Sequence, residues 1–215
     1  MKFIAAVLCV VSLSTASFAE KQRESEFASS GSWTPFAIGL LPPVQAPGAD
    51  WDVVGLRLGI LASRHHNVLF LSASGLVDLA TGDVNGVEVA GLCNHIGKSS
   101  GVFQVAGVVN SVDGDFAGVQ VAGVYNAVNA KAAGASVAAF NRAEQMEGLQ
   151  VGVFNRARGL SGVQVGVVNL VDDGSECIQF GLVNRAESLH GYQIGLVNVI
   201  RSAEIQFFPI INIGF

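Results

Sequence analysis

The chain has 215 residues, half of them hydrophobic and 13% charged, with 26 glycines and a formal net charge of −5. So high an apolar fraction with so little charge argues against an intrinsically disordered chain. The Lys and Arg residues form no cluster, which argues against a nucleic-acid partner because phosphate contacts need grouped basic side chains.

Residues 1–19 have the composition of a secretory signal peptide. Lys2 places a positive charge near the N-terminus, an apolar segment follows at 3–11, and the small residues Ser17 and Ala19 predict cleavage after Ala19. The apolar segment is shorter than the ~20 residues that a membrane-spanning helix needs. We therefore expect an exported protein that resides at the cell surface, in the outer membrane or in the periplasm.

Residues 20–50 are expected to form an N-terminal leader and cap. The segment is polar from Glu20 to Ser30, and Pro42, Pro43 and Pro47 predict an extended loop further on. A β-repeat domain is predicted over residues 51–215, with a C-terminal cap from about residue 203.

A short unit recurs along this domain, marked by Asn at intervals of 14 to 16 residues. We predict that the marker residues form a buried structural ladder; they are Asn94, Asn110, Asn126, Asn141, Asn155, Asn169, Asn184, Asn198 and Asn212. Asp78 occupies the same place in an earlier unit. A second marker precedes most of these by five or six residues and is usually Gln, as at Gln120, Gln150, Gln164, Gln179, Gln193 and Gln206.

Each unit is predicted to be β-structure. Large apolar residues alternate along 163–169, which is the period of a strand, and the recurrent Gly and β-branched residues disfavour a helix. Three all-β arrangements fit: a parallel β-solenoid of about ten coils, an outer-membrane up-and-down β-barrel, and an open meander. The solenoid is favoured because parallel stacking places the same residue type above itself and allows buried Asn side chains to bond between coils.

The C-terminal segment keeps the barrel as the alternative. Phe207, Pro209, Ile211, Ile213 and Phe215 alternate back from a terminal aromatic residue. This pattern resembles the last strand of outer-membrane barrels. It also fits a final coil whose edge is closed by bulky side chains.

The residue before each Asn marker is mostly apolar. Alternation predicts that this row shares one strand face with the Gln row, opposite an inner Val row. An exposed apolar row of this length could meet a membrane, another envelope protein or a second copy. The alternative is that both strand faces are buried.

Catalytic or metal-binding constellations are not evident in the sequence. His65, His66, His95 and His190 lack the spacing of a zinc site. The turns at 113–115 and 172–174 contain Asp and Gly and lie at one corner of the coil, but most units lack them, so turn propensity explains them. Repetition also disfavours the unique constellation that catalysis requires. We expect no enzymatic activity, no cofactor and no metal.

The unit resembles an uncharacterised family of bacterial surface-repeat proteins with tandem Gly-aliphatic-Gln-aliphatic-Gly-aliphatic-aliphatic-Asn repeats. The closest matches lie at 148–155, 162–169, 191–198 and 209–215, and the resemblance covers most of residues 40–215. It implies exposure on or near the cell surface and no assigned activity. The expected function is therefore a non-catalytic surface or envelope scaffold, adhesive or structural, with an outer-membrane pore or anchor as the alternative.

Two cysteines lie within the repeat domain, Cys93 and Cys177. An exported protein meets an oxidising compartment, in which paired cysteines usually form a disulfide. In a solenoid these two residues would be six coils apart, nearly 30 Å at ~4.8 Å per coil, whereas a disulfide spans only about 4.4–6.8 Å between Cα atoms. We expect both to be free thiols.

Overall fold

The computed structural model describes residues 32–41 and 44–215. The predicted signal peptide, the polar leader at 20–30, and Pro42 and Pro43 lie outside the described residues.

The described chain consists of β-strands joined by turns. The strands are β1 (Trp33–Leu41), β2 (Val44–Ala46), β3 (Asp52–Gly59), β4 (Ala62–His65), β5 (Val68–Ser74), β6 (Val77–Ala80), β7 (Val84–Ala90), β8 (Cys93–Ile96), β9 (Ser100–Ala106), β10 (Val109–Val112), β11 (Phe116–Ala122), β12 (Tyr125–Val137), β13 (Phe140–Val151), β14 (Phe154–Val165), β15 (Val168–Phe180), β16 (Val183–Ile200) and β17 (Phe207–Gly214).

Each coil has a long side and a short side. In the first four coils these are separate strands, namely β3 and β4, β5 and β6, β7 and β8, and β9 and β10, and β11 is the long side of the fifth coil. β12 to β16 each run along the short side and continue onto the next long side, and β16 continues further onto the last short side. One corner of the coil, the glycine corner, has Gly at eight of its ten levels, with Ile60 and Ala138 at the other two. The opposite corner, the polar corner, comprises 66–67, 81–83, 97–99, 113–115, 129–131, 144–145, 158–159, 172–173 and 187–188.

Successive coils stack in parallel and in register. Asn110 of β10 pairs with Asn94 of β8 and with Asn126 of β12, and Gln164 of β14 pairs with Gln150 and Gln179 in the neighbouring coils. The predicted β-solenoid of about ten coils is confirmed. The up-and-down barrel and the open meander are wrong as descriptions of this chain, because both require antiparallel neighbours along the repeat.

The interior of the solenoid contains two polar and two apolar columns. Asn from the short side and Gln from the long side point inward near the glycine corner, and both are fully buried in most coils. Near the polar corner the inward side chains are apolar, including Val112, Phe116, Met146, Leu160 and Leu189. The core is therefore apolar in one half and amide-filled in the other.

A second glycine column lies on the long side, two residues before the Gln position. Gly118, Gly134, Gly148 and Gly162 have φ between 130° and 145°, a region that side chains with a Cβ rarely adopt. A Cβ added at Gly162 would overlap the carbonyl oxygen of Gly148 in the coil below. These glycines let adjacent backbones approach each other closely.

The two ends of the stack are covered by strands of different origin. At the N-terminal end β1 pairs in parallel with β3, and β2 folds back antiparallel on β1. The segment predicted as leader and cap therefore contributes a further layer of sheet. At the C-terminal end the chain reverses at 201–205, and β17 pairs antiparallel with β16.

The antiparallel closing strand corrects one member of the predicted ladder. Asn212 lies opposite Gln193 on the long side, and the Asn column ends at Asn198, which lies opposite Phe208. Gln206, which was assigned to the Gln row, is exposed and precedes β17. The repeat spacing continued through this unit, but the reversal of chain direction moved its Asn out of the column.

Candidate interaction surface

The Asn ladder extends from Asn94 to Asn198 without a break. In each coil Nδ2 donates to Oδ1 of the next Asn, at distances of 2.8–3.2 Å. The same Nδ2 also donates to a backbone carbonyl on the long side of the next coil, as from Asn155 to Val165 and from Asn169 to Phe180. Each buried amide thus links both sides of the solenoid as well as successive coils.

The Gln ladder runs in the opposite direction. Nε2 of Gln120 donates to Gln104, that of Gln179 to Gln164, and that of Gln193 to Gln179, at 2.7–2.9 Å. Ser136 interrupts the row at the unit that departs from the consensus, and Nε2 of Gln150 has no partner there. The stack continues in register through this gap.

The orientation predicted for the Gln row is wrong. Gln164 is fully buried, whereas Val165 beside it is 38% exposed. Alternation along the strand is as predicted, but the amides face the interior and the Val residues face outward. The row before Asn does face outward, as at Phe140.

Four outward columns form one continuous apolar strip around the glycine corner. The first two columns flank the Gln position on the long side. Before it lie Leu56, Leu71, Val87, Phe103, Val119, Ala135, Leu149, Val163, Ile178 and Tyr192, and after it lie Leu58, Ala73, Val89, Val105, Val121, Val137, Val151, Val165, Phe180 and Ile194.

The other two columns lie at the corner itself and on the short side. The corner column is Leu61, Leu76, Leu92, Val108, Val124, Ala139, Val153, Val167, Leu182 and Leu196. The short-side column is Ala62, Val77, Cys93, Val109, Tyr125, Phe140, Phe154, Val168, Val183 and Val197. We call these four columns the apolar strip. None of its positions carries a charge.

The strip is large for an unpartnered surface. Ten coils at ~4.8 Å and a width of six residue steps at ~3.3 Å give roughly 900 Å², whereas the largest apolar patch of a typical monomer covers about 300–600 Å². Eight of the ten corner residues are 42–66% exposed. This surface is the strongest candidate for a functional site.

Charged side chains are concentrated at the polar corner and on the adjoining short side. Arg158 pairs with Glu144 there, and Lys131 pairs with Glu147 at 2.8 Å. Arg142 and Arg156 stand directly above one another on the short side. Within the described residues neither has a carboxylate within 4.0 Å.

The N-terminal coils contain a buried charged cluster that interrupts the amide columns. Arg57 and Asp78 form a fully buried ion pair, and Ser72 donates a further hydrogen bond to Asp78. Glu88 occupies the Gln column and accepts from Gln104 at 2.8 Å. Burial, and then the charge of Asp78, raise the pKa of Glu88 well above its ordinary value. Burial lowers the pKa of Arg57.

Replacing Glu88 with Gln is expected to stabilise the protein at neutral pH. The variant removes a buried acid and keeps the bond to Gln104, a gain on the order of 1 kcal/mol. The pKa of Glu88 is higher in the folded state than in the unfolded state. The stability that the protonated carboxyl contributes is therefore fully present below about pH 4.5 and is lost as the pH rises through the folded-state pKa. The advantage of Glu88→Gln over the parent should therefore grow above about pH 4.5, measured by urea unfolding.

The matched control for this series is Glu187→Gln, since that carboxylate is 55% exposed. It should unfold like the parent at every pH. His65 is buried and its pKa is lowered to about 3, mainly by burial and then by Arg57, so it destabilises parent and variant alike as the pH falls below 6.5. A constant difference between Glu88→Gln and the parent across the pH range would contradict the raised pKa.

The residues weighed for metal binding do not converge. His65 is buried beside Arg57, His66 and His95 lie on the short side or at its polar corner, and His190 lies on the long side. Asp113 is in the turn before β11, whereas Asp172 and Asp173 lie within β15. Within 32–41 and 44–215, no three His, Cys, Asp or Glu residues are grouped to hold a metal ion.

The two cysteines face different environments. Cys93 is half-buried in the apolar strip, and Cys177 is fully buried beside Gly174 and Leu189, where it fills space that Gly174 leaves open. Burial raises the pKa of the Cys177 thiol to about 12. Both thiols are unpaired in the structure, as the register predicts.

Alkylation is expected to distinguish these thiols. In the folded protein an iodoacetamide reagent should modify Cys93 and leave Cys177 unmodified, because the thiolate is the reactive form. After denaturation without a reductant, peptide mass spectrometry should find both cysteines modified. A 93–177 disulfide, or equal rates in the folded state, would contradict the coil assignment.

Sequence reasoning missed two features, one in the interior and one on the surface. The Arg57–Asp78–Glu88 cluster was not recognised, although Arg and Glu at Gln positions were visible once the units were aligned. The strip was predicted as a single row because the Val residues beside Gln were assigned to the interior.

The described residues include no helix long and apolar enough to cross a membrane. No protein-family model matches the chain, and no curated protein or solved structure matches it significantly.

Proposed function

We propose that the protein is a non-catalytic scaffold of the cell envelope, exported by its N-terminal segment and attached there through the apolar strip. The observation that carries this proposal is the strip itself, in which ten coils present the same uncharged surface along one edge. A surface that repeats with the coil suits an extended partner, whereas a reaction centre requires a unique group of side chains.

The division of the exterior supports attachment through one edge. The glycine corner is apolar at every level, whereas the polar corner carries ion pairs such as Arg158 with Glu144 and Lys131 with Glu147. One edge can therefore be covered while the opposite edge remains in water.

Fractionation of cells that express the full chain tests the proposal. The protein should be found in the envelope fraction with its N-terminus at Glu20, shown by N-terminal sequencing. A matched control lacks residues 2–19 and should remain in the cytosol. Recovery of the full chain from the cytosol, with the leader intact, would overturn the proposal.

A further inference from the structure

We propose that the apolar strip binds a lipid bilayer, with the solenoid lying lengthwise on the membrane and the glycine corner immersed among the acyl chains. This inference rests on the proposed envelope function and names its partner. Three features of the strip favour lipid over a protein partner.

The first feature is its curvature. Two columns lie on the long side, one on the corner and one on the short side, so the apolar surface faces three directions. A flat partner, such as the long side of a second copy, would cover the two columns around Val163 and Val165 and leave Val167 and Val168 exposed. A fluid hydrocarbon phase surrounds such an edge and covers all four columns.

The second feature is its length. The coils stack in register, so the corner column is continuous from Leu61 to Leu196, roughly 45 Å at ~4.8 Å per coil. Every coil therefore offers an apolar corner residue to a membrane that lies along the axis. Depths of about 5–10 Å are usual for interfacial elements, which matches the two residues that separate the corner column from the row of Arg142 and Arg156 on the short side.

The third feature is the charge at the border. Arg142 and Arg156 lie two residues beyond Phe140 and Phe154 of the strip and point outward on the same side. With the strip immersed, both guanidinium groups would lie at the level of the lipid phosphates. Glu144 and Asp172 line the same cleft, but neither forms an ion pair with Arg142 or Arg156. Two stacked cations without a direct ion pair repel each other, and a phosphate group between them relieves that repulsion.

Co-sedimentation with lipid vesicles tests the inference. Purified protein, recovered from cells that express the full chain, is mixed with vesicles of phosphatidylcholine, with and without a minority of phosphatidylglycerol. The parent should bind both. Leu182→Glu combined with Leu196→Glu should weaken binding at least roughly tenfold. Both positions are exposed at the corner, so the two Glu side chains would bring charge into the acyl region.

The matched control adds the same charge away from the strip. His190 and Ser202 are exposed outside the strip in the same part of the stack, and His190→Glu combined with Ser202→Glu should bind vesicles like the parent. Arg142→Gln combined with Arg156→Gln should lose roughly tenfold in affinity for the anionic vesicles and much less for phosphatidylcholine. Unchanged melting temperatures show that each variant is folded.

Several outcomes would overturn the inference. Failure of the parent to bind either vesicle would do so, as would equal loss in the corner variant and its control. A dimer that the Leu182→Glu, Leu196→Glu variant dissociates, without vesicle binding by the parent, would assign the strip to a second copy. In each of these cases an envelope location with a cleaved leader would leave the proposed function standing, whereas a cytosolic full chain would reject that function whatever the vesicles show.

Discussion

Replacement of Asn169 by Leu is expected to lower the melting temperature by roughly 10 °C. Asn169 accepts from Asn155 at 2.9 Å and donates to Asn184 at 2.8 Å, so its loss leaves buried amide groups of both neighbours unsatisfied. Each such group costs ~1–3 kcal/mol, and a protein of this size loses about 2–4 °C per kcal/mol. Leu has a similar volume, so the missing hydrogen bonds dominate. Thermal unfolding followed by circular dichroism measures the change.

The control for this experiment is Asn212→Leu. Asn212 is also an Asn marker in the sequence, but in the structure its Nδ2 is buried without a partner and its Oδ1 accepts only from the neighbouring Ile213 amide. Its replacement should change the melting temperature little or raise it. Equal losses in the two variants would contradict a ladder that ends at Asn198.

Replacement of Asp78 by Leu is expected to cost about 3–5 kcal/mol of unfolding free energy. Arg57 would remain fully buried without its main counter-ion, and a buried ion pair broken on one side costs about this much. Nη1 of Arg57 otherwise donates only to Ser72, and Nε and Nη2 lack partners, so no second carboxylate accepts a hydrogen bond from the guanidinium. Urea unfolding measures the loss.

Two further variants identify the cause of that loss. Asp113→Leu removes an Asp whose side chain is 47% exposed and should change stability by no more than about 0.5 kcal/mol. Arg57→Leu combined with Asp78→Leu removes both charges and should regain part of the loss, because apolar replacement of a whole buried pair is often neutral. If the double variant is no more stable than Asp78→Leu alone, the unpaired charge is not what destabilises the single variant.

The course of the chain was determined by the sequence alone. Asn and Gln at intervals of 14 to 16 residues, with apolar residues alternating between them, predict strands, their parallel register and a buried ladder. The prediction succeeds because stacked coils bring residues that are one repeat apart into contact. A short repeat in the sequence therefore identifies residues that touch in the structure. Asn94 to Asn198 lie above one another for this reason.

The tertiary structure alone decided which side of each strand faces inward. Alternation separates Gln164 from Val163 and Val165 but is symmetrical between the faces, and hydrophobicity suggested that Val lies inside. Gln164 is buried because its amide bonds to Gln150 and Gln179 in the adjacent coils, which satisfies groups that would be costly to bury alone. The end of the ladder was likewise decided by the fold, because only the reversal of β17 places Asn212 opposite Gln193. The repeat spacing in the sequence identifies residues that are neighbours one coil apart. Which strand face points inward, and whether the last strand runs parallel or antiparallel, depend instead on contacts between the two sides of the whole stack.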